Sequence, residues 1–521
     1  MRTTILPLLL ASGCYTGLEL EATDDDAGST TATTGNDDGP GQNDESLAIC
    51  QPGAWYTCYD GPPGTADVGL CLTGRRRCEL GGQAFGACLD AVLPVAEDCN
   101  TGDDDDCDGS STCGGLQRIF VHSGARLHDL APGSDRVVLL WTDDQGAHLT
   151  ALSTTGAPDH TVDLGRGLSS ADRLLLAQNP ATGAVTVGAT LIDTFDPALN
   201  RPYDCSISAG KGDVLLARFD ADLLLTASRC WGDAADQRLT ALDVPPDGAP
   251  RIAGLFHGTL AFADPPLTAP GVGYHSFFAQ LDPTLGAAAW SRGFDAASDS
   301  LELPSIVATT DGAVAIGTVR GGPDALGGSD VFVTRHIAAG DSLWTRRFGN
   351  AKDQIARAVA VAPDGSVWIA GDSQGYVDLG DGPFADDTTL LTFVARLDAA
   401  TGEPVAPRQI PGLVAATSRA LAVDAQADLT LLGTSSSAML LDDLPLPSGG
   451  DDDVVLIKLA PTGAVRWARR LGDDSPQVAR TVRLDARGDV LVGGEFSGLL
   501  TDGNIHVQTD TPQLFILQYL P

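Results

Sequence analysis

Positive charge is scarce in this sequence. Lysine occurs only at Lys211, Lys352 and Lys458, and 32 lysine and arginine residues stand against 69 aspartate and glutamate residues, a net charge of −37. Nucleic-acid binding needs cationic side chains to neutralise phosphates, so this field argues against such a partner and suits solubility in cation-rich surroundings. Long apolar runs are also missing. No stretch has the ~18 consecutive apolar residues that span a bilayer as a helix. The usual marks of catalysis are absent as well: there is no Gly-x-Ser-x-Gly elbow and no phosphate-binding glycine loop. The eight histidines (His122, His128, His148, His160, His257, His275, His336, His506) show no metal-ligand spacing. The sequence therefore assigns no catalytic and no cofactor-binding residue.

What is present is a recurring phrase: a short apolar strand, a turn with glycine, a strand often carrying tryptophan, and a closing glycine. Copies start at Gln145, Gly212, His275, Ser329, Leu391 and Asp452, 54 to 67 residues apart, with a half-copy near Pro512. The turn glycine is Gly156, Gly286, Gly340, Gly402 or Gly463, and the tryptophan is Trp290, Trp344 or Trp467. The closing glycine is Gly165, Gly232, Gly349 or Gly472. Each phrase runs on into two more strands joined by a tight turn such as Asp364-Gly365, Asp247-Gly248, Asp311-Gly312 or Arg487-Gly488, where glycine and aspartate tolerate positive φ.

Four short strands per unit is the size of a propeller blade. Residues 118–144 read as a unit without its first strand, and Gln513 to Leu520 read as a first strand without a unit. Pairing them closes a ring. The expectation is an all-β, seven-bladed β-propeller with velcro closure, preceded by a small disulfide-rich module. The tryptophans are read as packing between blades.

The phrases from Asp330 to Trp344 and from Asp453 to Trp467 resemble a β-propeller repeat of extracellular bacterial proteins, and the likeness covers about the C-terminal three quarters of the chain. Departures are local, with Leu223 where glycine is expected and Pro283-Thr284-Leu285 before Gly286. The resemblance implies a propeller and export, and no particular activity.

At the start, Arg2 precedes an apolar run from Ile5 to Ala11, then Ser12, Gly13 and Cys14. This resembles a bacterial lipoprotein signal, which implies cleavage after residue 13 and lipidation of Cys14; an ordinary cleaved secretion signal is the alternative. Tyr15 after the cysteine points, by the same resemblance, to the outer membrane or cell surface, with membrane contact through the lipid. Residues 14–49 are rich in Asp, Thr, Gly and Asn, and form a disordered acidic tether.

Residues 50–115 hold Cys50, Cys58, Cys71, Cys78, Cys88, Cys99, Cys107 and Cys113, too many for so short a segment to be anything but stapled or metal-bound. Zinc would favour paired Cys-x-x-Cys ligands, which are missing, and export favours oxidation, so disulfides are expected with their pairing open. Cys205 and Cys230 form a further pair in the propeller, residues 116–521. Within the module, residues 97–109 (Glu-Asp-Cys-Asn-Thr-Gly-Asp-Asp-Asp-Asp-Cys-Asp-Gly) resemble an Asp-rich cysteine motif of exported myxobacterial and related proteins that is associated with metal binding. Asp104, Asp106, Asp108 and Gly109 have calcium-loop spacing, but no glutamate completes it at position 115. A solvated acidic turn is the alternative to a calcium site.

These features together read as a non-enzymatic surface lipoprotein whose propeller binds a protein or glycan through loops such as 378–387 and 448–453. A second reading is a quinoprotein-like or hydrolytic enzyme, since 397–402 and 461–467 are similar to the repeat of pyrroloquinoline quinone dehydrogenases; the adjacent cysteine pair common there is missing. A third is a calcium-dependent structural module.

Overall fold

The computed structural model describes residues 50–61, 65–94, 107, 116–133, 136–153, 156–169, 173–191, 212–269, 273–294, 300–321, 326–375, 377–379, 390–415, 417, 419–442, 444–448, 450–501 and 506–520. They belong to two compact units that divide between Ser111 and Thr112.

The smaller unit has two short paired strands, Trp55–Cys58 and Gly74–Arg77. Its interior is made of cystine. Cys50 bonds to Cys78, Cys58 to Cys88 and Cys71 to Cys107. Cys50, Cys58, Cys71, Cys78 and Cys107 are buried, whereas Trp55, Leu72, Leu80 and Leu89 are exposed. The cross-links thus replace the apolar core that so short a chain cannot build. These bonds exclude the zinc reading for those six cysteines. Cys99 and Cys113 lie outside the described residues.

The larger unit is a seven-bladed propeller of four-stranded antiparallel sheets. Listed from the inner strand outward, blade 1 is Arg126–Pro132, Arg136–Thr142, Ala147–Ser153 and Pro158–Gly165, and blade 2 is Leu174–Gln178, Val185–Leu191, Asp213–Phe219 and Leu225–Trp231. Blade 3 is Gln237–Asp243, Arg251–Phe256, His275–Leu281 and Ala288–Phe294, and blade 4 is Ser300–Thr309, Gly312–Arg320, Ser329–Ile337 and Ser342–Phe348. Blade 5 is Gln354–Val361, Val367–Gln374, Leu390–Leu397 and Pro404–Pro411. The inner strand of blade 6 is split into Val414–Ala415 and Leu421–Val423, followed by Leu429–Ser435, Asp453–Leu459 and Val465–Leu471.

Blade 7 joins the two ends of the propeller. Gln477–Leu484, Val490–Thr501 and His506–Tyr519 come from the C-terminal side, and Leu116–Ser123 is the outermost strand, with Ile119 opposite Leu517 and Val121 opposite Phe515. The repeat in the sequence is therefore half a blade out of step with the sheets. Each phrase supplies the outer two strands of one blade and the inner two of the next.

This offset explains the recurring residues. Apolar clusters lie between consecutive blades: one joins Leu149 and Val187 of blades 1 and 2, and another joins Val333 and Ile369 of blades 4 and 5. The tryptophan of one blade covers the turn glycine of the next. A β-carbon on Gly340 would stand 2.6 Å from the Trp290 ring, and one on Gly402 would stand 2.7 Å from the Trp344 ring. Trp344 also donates through Nε1 to the Ala399 carbonyl at 3.0 Å. Phe120 of blade 7 covers Gly156 of blade 1 in the same manner.

Without the tryptophan the turn residue varies: Gly463 of blade 6 keeps glycine with open space around it, and blade 3 carries leucine. Ala227 of blade 2 pairs with Arg218, as Trp344 pairs with Arg335 in blade 4, and the facing turn in blade 3 carries Leu285, buried in the same cluster as Ala227. Leu285 has φ 62°, so it and not Gly286 is the left-handed turn residue; the expectation for Gly286 is corrected by one position. Leu223 holds the same conformation, φ 59°, in blade 2. The cost of left-handed leucine is offset by burial of its side chain, for Leu285 in the cluster that holds Ala227.

The closing glycines answer to a different neighbour. A β-carbon on Gly232, Gly349 or Gly472 would meet Oδ1 of Asp213, Asp330 or Asp453 at 1.8, 1.9 and 2.2 Å. Substitution separates the two turn-glycine environments. Gly402→Ala (φ 71°, against the Trp344 ring) is expected to lose about 2–3 kcal/mol of stability. Gly463→Ala (φ 85°, with open space around it) should lose about 1 kcal/mol. Equal losses on thermal or urea melting would reject the account.

Candidate functional site

The inner strands, which line the propeller's channel, are irregular at one level. Register shifts fall between Leu127 and Asp129, Leu239 and Ala241, Glu302 and Ser305, Ala356 and Ala358, and Ala479 and Thr481; blade 6 splits its strand at the same level. A bulge inserts an unpaired residue and re-aims its side chain. The residues delivered this way include His128, Arg357 and Arg480, with Arg419 in the gap of blade 6.

Together with Arg126 and Arg173 they line a chamber of about 390 Å³. Among the described residues Glu302 is the one carboxylate on its wall, and Thr142, Thr318 and Thr417 add hydroxyls. In a chain of net charge −37, five arginines around one small chamber are a local reversal of sign.

The guanidinium groups are fixed from behind. Arg357 donates through Nε to Asp372 at 2.6 Å, and Arg480 pairs with Glu495 at 2.7 Å. Arg419 reaches Asp129 of blade 1 at 2.6 Å and the Leu176 carbonyl of blade 2 at 3.0 Å. Arg173 donates to the Thr240 carbonyl at 2.8 Å. Burial lowers Arg419 to about 10, and it also lowers Arg173. Burial, then the charges of Arg126 and Arg480, hold His128 down at about 4, so its imidazole is neutral at physiological pH.

Past Arg419 the channel changes character. The chamber beyond it, about 690 Å³, is lined mainly by Leu130, Leu176, Ile306, Val359 and Leu484, with Asp243 raised by burial. Arg419 borders both chambers, and Asp129 ties it to Arg483.

Antiparallel pairing places the start of each inner strand, the connection from second to third strand and the exit of the outer strand on one face. The arginine chamber opens on that face, and so do the long connections. Residues 257–274 carry the hairpin Gly258–Leu260 with Leu267–Ala269, and residues 436–452 carry Met439–Leu441 with Leu444–Leu446. In blade 7 the ladder itself extends from Gly498 opposite Thr509 to Thr501 opposite His506. Turns on the other face are short, as at 362–366 and 485–489.

Residues singled out in the sequence fare unevenly. Asp104, Asp106, Asp108, Cys14 and Cys205 lie outside the described residues. Cys230 is disulfide-bonded. Of the loop 378–387, only Asp378 and Leu379 are described. Asp451 and Asp452 are exposed, but Asp453 is not a contact residue: it is buried in an ion pair with Arg470 at 2.9 Å. The arginine chamber was not foreseen. Its trace is an arginine at one place in two copies, Gln354-Ile355-Ala356-Arg357 and Gln477-Val478-Ala479-Arg480.

No family model matches the sequence, and no curated protein matches it. Solved structures do resemble it. A puromycin hydrolase, in a mutant form complexed with PGG, is 15% identical with a TM-score of 0.39, over 71% of this chain and 58% of that one. This chain thus spans little more than half of that protein. The β-propeller domain of the trilobed protease from Pyrococcus furiosus is 9% identical with a TM-score of 0.38, over 74% and 96%. The WD40 domain of Toxoplasma gondii coronin is 11% identical with a TM-score of 0.40, over 79% and 89%. Their likeness is one of fold.

Proposed function

We propose that this chain is an exported, non-enzymatic binding protein, anchored at the outer membrane or cell surface through lipidated Cys14, whose propeller takes a protein or glycan ligand on its elaborated face. The observation that carries the reading is the meeting of the long connections and the arginine chamber on one face, while the opposite face has short turns. The cystine interior of the N-terminal module supports an oxidising compartment. The test is capture from native envelopes by the full chain, beside a variant in which residues 436–452 are replaced by a short turn. Specific capture that the variant loses is the expected result; turnover of a substrate without capture would reject the reading.

A calcium-dependent structural module is the alternative reading, with Asp104, Asp106 and Asp108 as the ligands of the cation. Cys107, between those positions, is bonded to Cys71. A bound cation stabilises only the state that holds it, so chelation is expected to lower the melting temperature of the module by a few degrees. An unchanged melting curve would leave the acidic turn solvated.

A further inference from the structure

The chamber narrows the ligand class, on the premise that the propeller is a binding protein. Three of its arginines are held by carboxylates behind them, Arg357 by Asp372, Arg480 by Glu495 and Arg419 by Asp129. Pairing orients a guanidinium without using all of its five N–H donors. Arg126 is exposed, and Arg173 uses one nitrogen on the Thr240 carbonyl. Planar guanidinium forks from several blades converge on a space suited to a planar oxyanion, which they bind bidentately.

The remaining walls define what surrounds that oxyanion. Thr417 is taken up by the Arg480 carbonyl and the Arg419 N–H. The Thr142 and Thr318 hydroxyls keep capacity beside their single bonds to the His128 imidazole and the Ala356 N–H, and with the Glu302 carboxylate they offer donors and acceptors to a hydroxylated ligand. About 390 Å³ accommodates a group of one or two sugar rings, and the apolar surface that a peptide side chain would need lies in the other chamber, beyond Arg419. The protein's overall charge selects further. A polyanion would be repelled by so acidic a chain, net −37 over its whole length, whereas a ligand with one negative group meets five arginines in the chamber.

We propose that the arginine chamber binds the carboxylate-bearing end of an acidic sugar, with Arg126, Arg173, Arg357 and Arg480 facing the carboxylate and Thr142, Thr318 and Glu302 facing its hydroxyls. The experiment is titration calorimetry of the full chain with glucuronate, galacturonate and N-acetylneuraminate, against glucose, sulfate and a short acidic peptide. At least one acidic sugar is expected to bind, with affinity reduced tenfold or more by Arg126→Glu and by Arg173→Gln. Arg126 is exposed, so its variant folds; unchanged circular dichroism and melting confirm this for both.

Binding of glucose as tight as that of the acidic sugars, binding of sulfate or peptide alone, or acidic-sugar binding indifferent to both substitutions would each overturn the proposal. Absence of binding by every probe would overturn it too. Envelope capture that survives Arg126→Glu and Arg173→Gln would remove the chamber as the ligand site while leaving the binding propeller standing. Absence of capture by the unaltered chain would remove the broader reading itself.

Discussion

Deleting residues 512–521 should abolish the folded propeller, seen as loss of the cooperative melting transition and of the intact chain's elution position on gel filtration. The deletion removes most of the strand His506–Tyr519, which lies inside blade 7 and is paired on both sides. Leu517 faces Val492 of the second strand and Ile119 of the fourth. Leu514, Phe515, Ile516, Leu517 and Tyr519 are all buried. At about 1.5–3 kcal/mol for each buried side chain, the loss is on the order of 10 kcal/mol. That is comparable to the whole stability of a typical domain, roughly 5–15 kcal/mol. The deletion also exposes two sheet edges, so aggregation is the expected fate of the product. Addition of a synthetic peptide of residues 506–521 should restore part of the transition. A deleted chain that melts with the cooperativity of the intact one would sink the closure.

How much of this was legible depends on what kind of physics each residue obeys. The tight turns at Asp364-Gly365 and Arg487-Gly488 are local, since positive φ at Gly365 (80°) and Gly488 (89°) marks them whatever lies around. The orphan strand was legible because a count of repeats left one over. The offset between phrase and blade was half visible: the docking of Trp344 on Gly402 needs the next blade, and the repeat supplies it. Leu285 shows the limit. This left-handed leucine packs in one cluster with the small Ala227 across the interface, and no local rule prefers leucine to Gly286 there.

The chamber was hidden for a stronger reason. Ala356-Arg357-Ala358 reads as ordinary strand, and whether Arg357 faces the channel depends on a one-residue slip against Gly371 and Ala370. Such a slip belongs to the pairing of two strands within a closed ring. That Arg126, Arg173, Arg357, Arg419 and Arg480 share one space follows from ring closure, across hundreds of residues of sequence. The acidic composition further obscured them, because a net charge averages over the surface and cannot report a local reversal.

Asp129→Ala tests that inner architecture most severely, with an expected loss of about 3–5 kcal/mol. Asp129 is fully buried on the inner strand of blade 1. It accepts hydrogen bonds from Thr481 at 2.9 Å and Arg483 at 2.9 Å in blade 7, and pairs with Arg419 of blade 6 at 2.6 Å. One carboxylate thus fastens the seam from inside where the strand Leu116–Ser123 fastens it from outside. Alanine leaves two guanidinium groups in the channel without the carboxylate that binds them both, which is costlier than never having had the pair. Arg419→Met should therefore recover part of the loss when combined with Asp129→Ala, and the coupling in that double-mutant cycle measures the pair directly. Simple additivity of the two changes would show that Asp129 acts through packing alone. Ligand affinity supplies an independent reading, because Arg419 forms the boundary between the two chambers and is held there by Asp129 and the Leu176 carbonyl. Released from Asp129, Arg419 loses its fixed place, and an acidic sugar should bind more weakly to Asp129→Ala even at temperatures where the variant remains folded.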